Sequence, residues 1–187
     1  MKTDIERRKP EGPLDYVSLG ITTFGVGFLP LAPGTWGSMV AVALYLAAAQ
    51  FHDVWLHHWS VEHSLNAIQT VSISAAAVAL ALTALTMIGI WAASRAIPLL
   101  GNTDPSEAVI DEILGMLVTF FFVPFGVGWP FILAGFLLFR LFDIWKPYPI
   151  DLLQVLPGGV GVVADDIVAG TYAGVCLAVI YAISISL

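Results

Sequence analysis

Charge is scarce in this chain, and the little there is leans one way. Charged residues make up 11% of its 187 positions, against roughly 25% in a soluble domain. Hydrophobic residues make up 58%, and the mean hydropathy is +0.88. A soluble globular fold is excluded, and the class is integral membrane protein. Bases are scarcer still beyond residue 15, where Arg95, Arg140 and Lys146 face ten acids, so no nucleic-acid surface can be built. The lone Cys176 excludes a disulfide framework within the chain and a thiolate metal cluster. It reads as a small packing residue in an apolar run. A signal peptide is also missing. Lys2, Arg7, Arg8 and Lys9 form a basic head, but Gly, Pro and Thr interrupt the apolar stretch between it and Ser38. Residues 1–15 therefore read as an uncleaved cytoplasmic tail, and 16–187 as a single membrane-embedded domain.

What is present is long apolar runs. A spanning helix needs about 20 such residues, and five candidates fit: 37–56, 67–97, 109–125, 129–145 and 163–187. The second exceeds one crossing, so it must tilt or project. "PFGVG" (124–128) between the third and fourth is a tight turn. Ahead of the first, "LDYVSLGITTFGVGFLPLAPGTWGS" is apolar but broken by Gly and Pro. Broken backbone at membrane depth must be packed or line a cavity, which suits a short re-entrant or interfacial segment. The expected fold is an all-α polytopic membrane protein with about five transmembrane helices plus that N-terminal segment.

Lys and Arg in the short loops set the orientation. With the N-terminus inside, the 52–66 loop and the 124–128 turn face outward and carry no Lys or Arg. Four segments then share the cytoplasmic face: "APGTWGS" (32–38), "NTDPSEAVIDE" (102–112), "RLFDIWKPYPID" (140–151) and "GGVGVVADDIVAG" (158–170). With them come Asp104, Glu107, Asp111, Glu112, Asp143, Asp151, Asp165 and Asp166, while Asp53 and Glu62 stay outside.

Each motif also has a plain structural reading. Asp111 and Glu112 open the third span, and Glu107 would share a helical face with Asp111. The helix dipole favours acids there, but Glu112 precedes an almost wholly apolar run, and ionisable groups at that depth usually face a bundle interior. Asp165 and Asp166 could likewise sit at a helix N-terminus. They lead into Gly170 and Gly174, whose GxxxG spacing allows close helix approach. "PGGVG" before them could offer backbone N–H groups to an anion. Arg140, Asp143 and Lys146 lie three apart at a helix end stopped by Pro147, so Asp143 could simply pair with either base. In "APGTWGS", Thr35 or Ser38 could be an N-cap, or with Gly34 part of an anion site at a helix start. It is no P-loop, because the GxxxxGK[ST] lysine is absent. His52, His57, His58 and His63, with Trp55 and Trp59, read as an interfacial segment anchored by aromatics rather than as a metal site.

Carboxylates gathered at one face repel one another unless protonated or paired, and Arg140 with Lys146 cannot balance them all. Oxygen-only ligands favour a hard divalent cation, Mg²⁺ rather than zinc. Such an ion bridges to phosphate oxygens, so an acidic site suits even an anionic substrate. Metal-assisted phosphoryl chemistry on a lipid headgroup is the expectation.

At "LAPGTWGS" (31–38), "DPSEAVIDEILG" (104–115), "FRLFDIWKPYPI" (139–150) and "GGVGVVADDIVAG" (158–170) the chain resembles the phosphatidylglycerophosphatase A family. The order and spacing of these motifs cover roughly residues 20–175. The resemblance implies a Mg²⁺-dependent phosphatase of the bacterial inner membrane, converting phosphatidylglycerophosphate to phosphatidylglycerol at a site facing the cytoplasm. Asp111, Glu112, Asp143, Asp165 and Asp166 are the candidates for metal binding and water activation. Arg140 and Lys146, assisted by Gly34, Thr35 and Ser38, are the candidates for holding the phosphate. A carboxylate nucleophile remains an alternative, although the DxDx[TV] signature is missing. The rival function is a small cation- or proton-coupled transporter, which would spread its acids through the membrane depth and show repeat symmetry. The oligomeric state is left open.

Overall fold

The computed structural model describes residues 4–186. Lys2 of the basic head and the side chains of Asp53 and His57 lie outside the described residues. The described residues form helices with no strands: α1 (Pro13–Thr23), α2 (Pro33–Glu62), α3 (Ala67–Leu100), α4 (Ile110–Phe121), α5 (Trp129–Trp145), the short α6 (Ile150–Leu153) and α7 (Gly158–Ser184), with a 3₁₀ turn at Val26–Phe28. Three are long and apolar enough to cross a membrane, through Pro33–His52, Ala67–Leu100 and Gly158–Ser184. The third expected span shortens to α4, and the fourth coincides with α5. At 1.5 Å per residue they rise only about 18 and 26 Å. Pro124 and Gly126, the latter at φ 77°, form the turn between them.

Several expected boundaries move. The outer loop at 52–66 is mostly the end of α2, which runs on to Glu62 before the next helix is capped by Asn66 and Gln69 in a reciprocal box. A capping box needs an Asn or Ser three residues before Glu or Gln, and "NAIQ" supplies it. His52 stacks on Phe125 at 4.2 Å, and Tyr45 stacks on Phe120 at 4.3 Å. Trp55 and Trp59 stack at 5.8 Å. This end of the helix is aromatic packing, and among the described residues its histidines form no ligand group.

The core is the crossing of α4 and α7. They run in the same sense, with Gly115 against Gly170 and Phe122 against Gly174. A Cβ on Gly170 would lie 2.1 Å from the Gly115 carbonyl oxygen, and one on Gly115 would lie 2.5 Å from that of Asp166. Without side chains between them the backbones touch, as GxxxG spacing allows. Thr119 spans the seam, donating to the carbonyls of Gly115 at 3.0 Å and Gly170 at 3.3 Å. Helix α5 returns against both, with Phe139 fully buried on Gly115.

Residues 5–8 of the amino-terminal segment bond to the end of α3. The last carbonyls of a helix lack partners within it, and residues 5–8 supply them for α3. Ile5 N–H donates to Gly101, Arg8 N–H to Pro98 and Arg7 Nε to Leu99, at 3.0, 2.8 and 2.9 Å. Asp15, 1% exposed, joins this segment to the bundle through Arg95 at 2.8 Å and Arg8 at 3.0 Å. The Glu11 amide donates to Asp15 and holds its carboxyl below the ordinary range, against the opposing effect of burial and with help from Arg8 and Arg95.

Gly170→Val is expected to destabilise the protein by about 1–3 kcal/mol, the usual cost of overpacking, read as a lower unfolding temperature in detergent. Because Asp15 has a depressed pKa, its contribution is present above the unfolded-state value near 3.8 and lost as pH falls through the folded one. Hydrogen exchange at the Ile5 and Arg8 amides should therefore speed up below about pH 4, and Asp15→Asn should remove that dependence.

Candidate active site

Five sequence-selected acids come together at one end of the bundle. Asp111 and Glu112 occupy the first turn of α4, Asp143 the last turn of α5, and Asp165 and Asp166 the face of α7 that meets both. Helix dipoles account for part of this and not the rest. α4 begins at Ile110, so Asp111 and Glu112 do lie at a helix N-terminus. α7 begins at Gly158, five residues before the expected start, which places Asp165 and Asp166 two turns inside the helix. The dipole effect fades within the first turn, so another partner must answer for those charges.

The cluster divides into two halves. Arg140 Nη1 lies 2.7 Å from Asp143 Oδ2, and Lys146 Nζ lies 2.5 Å from Asp165 Oδ2, 3.6 Å from Asp143 Oδ1 and 3.9 Å from Asp166 Oδ1. Asp143 and Asp165 are thus paired. Burial works against the Lys146 ammonium, but Asp166, Asp165 and Asp143 outweigh it and raise its pKa above the ordinary lysine value. Lys146 also ends α5 in the left-handed region at φ 45°, a conformation rare for a side chain other than glycine. The other half has only the long Lys146 contact to Asp166 for a cation. Asp111, Glu112 and Asp166 can each bring an oxygen within 4.8 Å of the others. One oxygen each of Asp111, Glu112, Asp165 and Asp166 is buried with no hydrogen-bond partner. Buried anions without partners are costly, and hard oxygen donors so arranged fit a divalent cation such as Mg²⁺.

These groups line a cavity of about 690 Å³. Asp111, Glu112, Asp143, Lys146, Asp165 and Asp166 form its charged wall, and residues from the 103–108 and 154–158 segments, with Ile97, Gly161 and Val162, form the rest. Asp104 lies at this second wall. Glu107 and Asp151 are not part of the lining. Glu107 falls before α4 rather than on it, and its carbonyl packs against Gly27.

Gly34, Thr35, Ser38 and Arg140 lie outside the lining, with Gly34 and Arg140 next to Glu112 and Asp143 of the charged wall. A Cβ on Gly34 would meet Glu112 Oε1 at 2.2 Å and Arg140 Nη1 at 3.0 Å, so a larger residue there would displace both side chains. Neither Thr35 nor Ser38 is the N-cap. Ala32 holds that position, Pro33 comes next, and no side chain caps the end. Ser38 is fully buried and its hydroxyl donates back to the Gly34 carbonyl at 2.9 Å, the local bond that keeps such residues tolerable inside helices. Among the "PGGVG" glycines one N–H group is already taken. Ser94 Oγ accepts the Gly159 N–H at 2.8 Å, and a Cβ at Gly159 would lie 2.2 Å from the Ile90 carbonyl. Their smallness lets α7 start against α3.

One site residue went unnoticed in the sequence. Gln154 Nε2 donates to Asp165 Oδ2 at 3.0 Å. Its signal was an isolated amide among the apolar residues of "LLQVL", which is weak without knowledge of the group that faces it.

Among known proteins, the phosphatidylglycerophosphatase A family matches this chain over residues 20–181. The chain belongs to this family. A Bacteroides thetaiotaomicron protein named "Putative phosphatidylinositol-3-phosphatase" is 36% identical over 159 residues, 84% of this chain and 89% of that one. Phosphatidylglycerophosphatase A of Escherichia coli K12 is 30% identical over 165 residues, covering 88% of this chain and 81% of its own. The Haemophilus influenzae protein of the same name is 30% identical over 163 residues, 86% and 84% of the two chains. No solved structure matches. With this membership the chain is a phosphatase carrying membrane helices, and the transporter reading loses its footing.

Lys146→Met should leave Asp165 and Asp143 without their shared cation. Removing one partner of a fully buried pair costs about 3–5 kcal/mol. The Lys146 side chain is 26% exposed, so a loss nearer ~2 kcal/mol is expected, read as a lower unfolding temperature that added Mg²⁺ partly restores.

Proposed function

We propose that this chain hydrolyses the phosphate monoester of phosphatidylglycerophosphate, releasing phosphatidylglycerol and inorganic phosphate, with Mg²⁺ as cofactor. The observation that carries the reading is the set of buried, unpartnered carboxylate oxygens on Asp111, Glu112, Asp165 and Asp166 around one cavity. Family membership and the names of two relatives supply the substrate. Asp111, Glu112 and Asp166 would hold the ion, which supplies Lewis acidity toward the phosphate oxygens and the attacking water. Asp143 joins this wall, oriented by Arg140. Lys146 and Arg140 stabilise charge that develops on the phosphoryl group. The Gly34–Thr35 start of α2 lies beside Arg140 and adds the positive end of a helix.

Asp165 Oδ1 is the proton acceptor in this scheme. Water oxygen bonds to phosphorus as the ester P–O bond breaks. One water proton passes to Asp165, and that proton is the one the departing glycerol oxygen needs. Direct attack by water suits the site better than a carboxylate nucleophile, because the cluster's free oxygens converge on one another rather than standing alone.

The reading includes a placement. α4 and α5 join α2, α3 and α7 as about five membrane-inserted helices, with α1 lying at the interface. The basic head, Arg95, Arg140 and Lys146 favour the cytoplasmic side of a bacterial inner membrane for the cavity and the N-terminus. The lipid substrate would then reach the site from the surrounding leaflet. A second substrate also has an observation behind it, since the relative at 36% identity carries a phosphoinositide name.

The test is phosphate release by the purified protein in detergent. Release from phosphatidylglycerophosphate is expected with Mg²⁺ and not with EDTA, with phosphatidylinositol 3-phosphate turned over more slowly. Asp165→Asn, which removes the proton acceptor, and Asp166→Asn, which removes a proposed metal ligand, should each lower kcat about a hundredfold or more, measured on protein shown to be folded by circular dichroism. Folded protein that releases no phosphate above background would sink the proposal.

A further inference from the structure

We propose that Gln154 is a positioning residue that fixes the orientation of Asp165, so that Asp165 Oδ1 stays turned toward the reacting water. The role rests on the phosphatase reading above.

Both donors that reach Asp165 use the same oxygen. Lys146 Nζ lies 2.5 Å from Oδ2 and Gln154 Nε2 lies 3.0 Å from it, while Oδ1 is buried and unpartnered. The ammonium alone cannot set the plane of the carboxylate. It is a point charge with rotatable N–H bonds, and Asp143 at 3.6 Å and Asp166 at 3.9 Å draw it in other directions. Repulsion from the neighbouring carboxylates would turn Asp165 about its own axis. The amide of Gln154 adds a second, uncharged direction to the hold on Oδ2, and that second direction is what keeps Oδ1 in place.

The backbone shows how Gln154 comes to be there. It directly succeeds α6 in the stretch that leads to α7, and this stretch lies against Gly161. A Cβ on Gly161 would sit 2.0 Å from the Leu156 carbonyl oxygen and 3.3 Å from that of Gln154. Asp165 lies four residues beyond Gly161 and so one turn along the same helix face. The glycine admits the segment, and the segment delivers the amide to the carboxylate.

The experiment is a double-mutant cycle on the full chain in detergent with Mg²⁺, read as kcat and KM for phosphate release. Gln154→Leu should lower kcat about tenfold and leave KM within about twofold and the unfolding temperature unchanged. In an Asp165→Ala background the same substitution should change nothing further, because residues that act through one another are not additive. Gly161→Ala should reproduce the kcat loss by displacing the segment. An active parent whose kcat survives Gln154→Leu overturns this role alone, as does a Gln154→Leu loss that persists in full without the Asp165 carboxylate. A parent that releases no phosphate from any phosphomonoester lipid overturns the phosphatase reading and this role together.

Discussion

The backbone contact between Gly115 and Gly170 is the constraint on which the site depends. α4 and α7 run in the same sense, so whatever precedes each glycine by a turn is carried to the same end of the bundle. Asp111 and Glu112 precede Gly115, while Asp165 and Asp166 precede Gly170. Bringing the backbones together therefore brings four carboxylates together, and no large residue at either crossing point could do so. Thr119, bonded to both glycine carbonyls, secures the register. The electrostatic cost of the cluster is imposed by the packing that stabilises the fold.

That cost is met unevenly. Arg140 and Lys146 lie nearest the Asp143 and Asp165 side, and on the Asp111, Glu112 and Asp166 side buried carboxylate oxygens keep no hydrogen-bond partner. A division of this kind is chemically useful. Wholly paired acids would have no capacity for a cation, and wholly unpaired ones would repel one another strongly enough to loosen the crossing.

Much of this was legible in the sequence because membrane segments and their charges leave strong signals. Long apolar runs located α2, α3 and α7, and the clustering of acids among Asp111, Glu112, Asp143, Asp165 and Asp166 came from placing loops by their Lys and Arg content. The less legible features are those set by partners distant in the chain. The start of α7 moved from residue 163 to 158 because Ser94 of α3 receives the Gly159 N–H, a contact no local pattern announces. Ser38 looked like a cap or an anion ligand, and its hydroxyl instead turns back into its own helix. Gln154 and the Asp15–Arg95 pair were hidden for the same reason, since each is defined by a partner many residues away.

The clasp formed by residues 5–8 has a consequence for the order of assembly. These residues bond to carbonyls at positions 98–101, so the segment emerges from the ribosome long before its partners exist. It cannot settle until α2 and α3 have both been threaded into the bilayer, and contacts so distant in sequence form slowly. The stretch just beyond the clasped carbonyls, 103–108, is a wall of the cavity. Closing the clasp therefore fixes the base of that wall, and an amino-terminal segment made early becomes a late brace for one side of the cavity.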